Sequence, residues 1–105
     1  MATSNGTNTG QKFALGRLVA TPGALEALGT SGETALPYLA RHRAGDWGEV
    51  CDEDKRLNDE AVAHEGDPDR QSRVLSAYRT TGGVKLWVIT EWDRSVTTLL
   101  LPDEY

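Results

Sequence analysis

Residues 72–101 read SRVLSAYRTTGGVKLWVITEWDRSVTTLLL, three β-rich runs separated by two short turn signals. The runs are residues 72–80, 84–91 and 95–101, joined by Thr81-Gly82-Gly83 and by Trp92-Asp93-Arg94. Glycine and aspartate supply the backbone conformations that tight turns require. Connections this short leave no room for a crossover, so consecutive strands have to lie antiparallel. The segment predicts a three-stranded meander. In its first run Val74, Ser76 and Tyr78 alternate with Leu75, Ala77 and Arg79; in its second Leu86, Val88 and Thr90 alternate with Trp87 and Ile89. The near-continuous apolarity of the second run marks a central strand covered on both faces.

Upstream, Gly66-Asp67-Pro68-Asp69 is a turn signal that separates the meander from a helical region. Asp52-Glu53-Asp54 is an acidic first turn for a helix reaching about residue 63, with Leu57 and Ala61 facing inward. A helix over residues 33–43 precedes it, capped by Ser31 or Thr30, with Pro37 near its first turn and Leu36, Leu39 and Ala40 as its buried stripe. Thr21 and Pro22 read as N-cap and first position of a shorter helix that carries Leu25 and Leu28 and closes at Gly29. Residues 12–20, with Phe13, Leu15 and Arg17 sharing one face, predict a short strand. The fold class is α+β: an N-terminal strand, three helices, then the meander with the helices packed on the sheet. Residues 1–11 are too polar to bury and read as a flexible tail, and residues 12–105 as one domain.

Apolar residues make up 38% of the 105 and charged residues 26%, which predicts a modest core. The longest apolar stretches, 86–89 and 99–101, fall far short of the roughly 20 residues that span a bilayer, so no membrane partner is expected. The N-terminus lacks the basic and apolar regions of an export signal, and the one cysteine, Cys51, has no internal disulfide partner. Both point to a cytoplasmic location. The net charge is −5, and from Glu53 onward seven Lys/Arg face eleven Asp/Glu. Such a surface repels a phosphate backbone, which disfavours nucleic acid and makes basic protein partners the easier match.

Two loops are candidate binding sites. Gly45-Asp46-Trp47-Gly48 places a large amphipathic ring between two glycines, beside the Asp46 carboxylate. Trp47 is either an exposed anchor of the kind that dominates interfaces or a plug at the end of the core, with Asp46 capping a turn. Glu91, Trp92, Asp93 and Arg94 sit at a predicted hairpin tip, where they form either a compact recognition edge or a turn closed by a surface ion pair. His42, between Arg41 and Arg43, reads as an exposed residue and is the best general acid–base candidate. The spacing of His42, Cys51 and His64 matches no chelating pair, so neither metal nor cofactor is expected. Five carboxylates near Cys51 make it a poor nucleophile. No nucleotide-binding, nucleophile-elbow or zinc-protease motif is present in the sequence.

The segments GRLVATPGAL at 16–25, LARHRAGDWG at 39–48 and WVITEWDRSVTT at 87–98, with the ending LPDEY, resemble a family of small proteins from plasmids and integrative elements. Some of its members carry labels such as plasmid-related or restriction-associated. The resemblance covers nearly everything after the polar tail, implies a mobile-element origin and transfers no catalytic residue. The expected function is a mobile-element-encoded, non-enzymatic protein-binding module acting on a host or defence protein. The element order also resembles the RelE-like ribonuclease toxins and barnase-type nucleases. That alternative uses Arg73, Arg79, Lys85 and Arg94 as a phosphate cradle and His42 or Tyr105 for proton transfer.

Overall fold

The structure, a computed structural model, describes residues 11–105; the expected tail lies outside the described residues apart from Gln11. The elements are β1 (Arg17–Ala20), α1 (Pro22–Ser31), α2 (Leu36–Arg43), α3 (Asp52–Ala63), β2 (Val74–Arg79), β3 (Lys85–Thr90), β4 (Val96–Leu100) and a 3-10 turn (Pro102–Glu104). β2, β3 and β4 pair antiparallel in sequence order, as the short turns require. β1 then joins the outer side of β4 in parallel, so the sheet is mixed, with strand order β1-β4-β3-β2. The helices between β1 and β4 supply the long crossover that parallel pairing needs.

Strand alternation gives the sheet two unlike faces. The first carries Val74, Ser76, Tyr78, Leu86, Val88, Thr90, Thr97 and Leu99 in register across β2, β3 and β4. On it Ala24 and Leu28 of α1 and Tyr38 and Leu39 of α2 bury Tyr78, Leu86, Val88 and Leu99. A second cluster of Phe13, Trp47 and Ala61 closes over Val74. The other face carries Leu75, Ala77, Trp87, Ile89, Thr98 and Leu100, none of which belongs to either cluster. β3 is internal and helices cover one side of it; on the other, Ala77, Ile89 and Leu100 are also buried, and the 3-10 turn and Tyr105 lie against β3, so the central strand is covered on both faces by different means. The thinnest dimension, 22 Å, is that of one helix layer on one sheet.

The helices differ in detail from their sequence signals. Thr21 caps α1 by accepting from the Ala24 amide at 3.2 Å, with Pro22 first in the helix. The helix runs past Gly29 and stops at Gly32, whose φ of 70° fits a left-handed C-cap. Ser31 is thus spent inside α1, and α2 begins only at Leu36, without a side-chain cap. The inner face of α2 is Tyr38, Leu39 and His42, whereas Leu36 is 71% exposed and Ala40 is exposed. Leu25 and Leu57 also point outward, whereas Leu28 and Ala61 are buried as expected, beside Ala24, Ala27 and Asn58. The first strand is only four residues long: it starts after Gly16, whose φ of 67° lies outside the β region and whose backbone passes so near the β3–β4 turn that a Cβ would lie 2.3 Å from the Arg94 carbonyl oxygen.

Candidate functional site

Trp92, in the β3–β4 turn, is 52% exposed. It sits in a turn closed by the Arg94 amide donating to Glu91 O at 2.9 Å and the Glu91 amide donating to Val96 O at 3.0 Å. Arg94 holds φ at 62°, a conformation that usually falls to glycine. Its guanidinium explains the exception. Nε and Nη2 donate to the Glu65 carboxylate at 3.1 and 2.8 Å, while Nη1 donates to Ser72 O at 2.8 Å and Glu91 O at 3.0 Å. Arg94 is only 8% exposed and lies over the Phe13 ring at 5.4 Å, so it is an internal clamp and not part of a recognition edge. The Gln71 side-chain amide donates to Trp92 O at 2.7 Å, and Asp93 accepts from the Ser95 amide at 3.0 Å. The Ser95 hydroxyl bond lowers the Asp93 carboxyl pKa. Glu91 and Asp93 remain exposed beside the ring of Trp92.

The Trp47 loop resolves the other way. Trp47 is 5% exposed, stacks on Phe13 at 6.1 Å and donates its Nε1–H to Asp59 of α3 at 2.9 Å. It plugs the core, and the exposed-anchor reading is corrected. Asp46 accepts from the Gly48 amide at 3.2 Å and pairs with Arg41 at 2.7 Å, chiefly which holds its carboxyl below the usual range.

His42, expected at the surface, is fully buried. It joins a chain of hydroxyls: Ser76 Oγ at 2.6 Å from Nδ1, Thr90 Oγ1 at 2.9 Å from Nε2, then Thr97 Oγ1 at 2.6 Å from Thr90. Thr97 donates to the Leu15 carbonyl at 2.6 Å, and a carbonyl can only accept. Proton counting then fixes the donors along this chain as far as the ring: Thr90 gives its one proton to Thr97, so His42 donates from Nε2, and a neutral ring accepts from Ser76 at Nδ1. The imidazole is neutral; burial, and secondarily the Arg94 charge, depress its pKa to about 3. Phe13 and Trp47 stand edge-on to it at 5.1 and 5.9 Å. A sealed histidine with both nitrogens committed has no route to a substrate.

The remaining residues of the phosphate cradle are divided between the two ends of the sheet. Arg73, just before β2, and Arg79, its last residue, are about 20 Å apart at the strand rise. Arg79 pairs with Glu49 at 3.2 Å and faces Lys85 across the hairpin. Tyr105, 74% exposed, packs against Trp87 with ring centres 5.8 Å apart. Arg79, Lys85 and Tyr105 thus share one end of the sheet, while Arg94 and His42 are inside. Cys51 is exposed beside the N-terminus of α3, and His64 donates from Nδ1 to Glu60 O at 2.9 Å. Among the described residues no three His, Cys, Asp or Glu side chains are placed to hold a metal ion, and no helix is long and apolar enough to cross a membrane.

Sequence reasoning missed that the helices gather on one sheet face and leave the other free of them. Trp87 and Ile89 alternate with Leu86 and Val88, and that pattern does not say which side receives helices. A cleft of about 240 Å³ opens beside this face, lined by Asp54, Leu57, Asn58, Ser72, Arg73 and Leu75. No protein-family model matches the chain, and no curated protein or solved structure matches it significantly.

Proposed function

We propose that this chain is a non-enzymatic protein-binding module that presents Trp92 at a rigid hairpin tip to a protein of the host or of its defence systems. The observation that carries the reading is the combination of an exposed ring with a backbone held by Arg94, Glu65 and Gln71. Large aromatics that are ordered before contact lose little entropy on binding and dominate interface energetics. Glu91 and Asp93 flank the ring with carboxylates. The resemblance to proteins of plasmids and integrative elements supports a host or defence component as partner, in an anti-defence role. The ribonuclease alternative is left with Tyr105 as its proton-transfer group, since His42 is sealed in the core.

Affinity capture from a host lysate tests the reading. Wild-type protein is expected to retain a discrete partner that Trp92→Ala loses, with the variant's thermal unfolding close to wild type. Equal capture by the two proteins would overturn the proposed surface.

A further inference from the structure

The charge of this acidic chain is unevenly placed. The four strands contain no Asp or Glu at all, yet they carry Arg17, Arg79 and Lys85, and Arg73 immediately precedes β2. By alternation and register all four belong to the face that α1 and α2 leave uncovered. Arg17 and Arg73 lie toward the Trp92 end, with the Glu91 carboxylate among them and Asp54 lining the cleft beside Arg73; Lys85 and Arg79 lie toward the other. Arg17, Arg73 and Lys85 make no ion pair among the described residues.

Between the two cationic ends the face is apolar. Val19, Leu75, Trp87 and Val96 are half-buried and form its accessible part, while Ala77, Ile89 and Leu100 are buried. At the β2 edge the cleft between Leu57 and Leu75 has about 240 Å³. That is below the roughly 300–1,000 Å³ of small-molecule sites and suits one large apolar side chain. Arg73 stands at its rim.

The geometry points to an acidic amphipathic polypeptide segment as the occupant of this face: carboxylates on Arg17, Arg73 and Lys85, apolar side chains on the sheet between them and one anchor in the Leu57–Leu75 cleft. This rests on the protein-binding reading and reverses the expectation of a basic partner, because local charge, not net charge, meets the partner. A second copy is a poor occupant, since a face with cations at both ends repels itself and each copy carries −5. The first ten residues of the chain offer only Met1 and Ala2 as apolar groups. A single-stranded nucleic acid would use aromatic stacking platforms, whereas the centre of this face is mostly aliphatic and its one tryptophan packs on Tyr105.

The test uses a short fluorescent synthetic peptide of alternating Glu and Leu with one Phe, and a control with Lys in place of Glu. Anisotropy titrations are combined with amide shift mapping on the whole chain. The acidic peptide is expected to bind, weaken with added salt and shift the amides of β2, β3 and β4. An Arg17→Glu, Lys85→Glu double variant, exposed at both sites, should weaken it at least about tenfold with unchanged amide dispersion elsewhere. Arg73→Glu should weaken it too, most for the peptide with Phe. No binding of the acidic peptide, equal binding of the lysine control, indifference to charge reversal, or an oligothymidylate or a second copy of the chain covering the same amides would each overturn the inference. Loss of lysate capture in Trp92→Ala alongside any of those results would leave the protein-binding reading standing and remove only this one.

Discussion

Arg94 occupies a backbone position that glycine would hold without strain, and its side chain accounts for the choice. A non-glycine residue in the left-handed region costs roughly 1–2 kcal/mol, which the forked bonds to Glu65 and the carbonyls of Ser72 and Glu91 offset. Arg94→Lys keeps the charge but loses the fork and its bonds to the part-buried Ser72 and Glu91 carbonyls, and is expected to lower unfolding stability by about 1–3 kcal/mol in urea titrations. Arg94→Gly relieves the backbone and should still be destabilising, which separates clamp from conformation. His42 gives the molecule its acid sensitivity. The unfolded histidine takes a proton near pH 6.5 and the folded one only near 3, so between these values the unfolded state binds the extra proton. Stability should therefore be full above pH 6.5 and fall on acidification by about 1.4 kcal/mol per pH unit. Below about pH 4.5 the lowered carboxyls of Glu33 and Glu104 add to the loss. Urea midpoints measured from pH 7.5 to 4.5 check the slope, and a His42→Gln variant should flatten it.

At the scale of elements, the outer edge of β2 shows how a short strand avoids open pairing. The Asn58 side chain of α3 donates to Leu75 O at 2.7 Å and accepts from the Leu75 amide at 3.1 Å, imitating a strand neighbour. Two residues on, Ala77 donates to Trp47 O at 3.1 Å and accepts from the Glu49 amide at 2.6 Å. Gly48, at φ 74°, makes this possible: a Cβ there would lie 2.0 Å from Ala77 O and against the Tyr78 ring. Gly48→Ala is expected to cost about 2–4 kcal/mol and to expose the β2 edge, read as a lower melting temperature with faster exchange of the Leu75 and Ala77 amides. Asn58→Asp keeps the size but leaves Leu75 O without a donor, and should accelerate the same amides. Both devices tie the helical region to the meander and hold the Trp47 loop against β2.

For the whole molecule the decisive features are one helix-covered sheet face and a charge distribution that sends the carboxylates to helices and loops. Overexpression in a bacterial host should be tolerated with cellular RNA intact, and growth arrest relieved by Arg79→Ala would instead favour the ribonuclease. The meander, its turns and the acidic start of α3 were legible in residues 52–101 because turn chemistry and alternation act between near neighbours. The Thr21-Pro22 helix start was legible for the same reason. Other outcomes depended on residues far apart in the chain. His42 looks like a surface histidine between two arginines until Ser76 and Thr90 are brought beneath it. Arg94 looks like a turn charge until Glu65 and Phe13 enclose it. The parallel docking of β1, the burial of Trp47 and the placing of the helices on one face were likewise settled by packing. The sequence alone determined which segments form strands, turns and helices, since those preferences are local. The tertiary structure alone decided which side of each is inside, since burial and neutralisation require partners that sequence distance conceals.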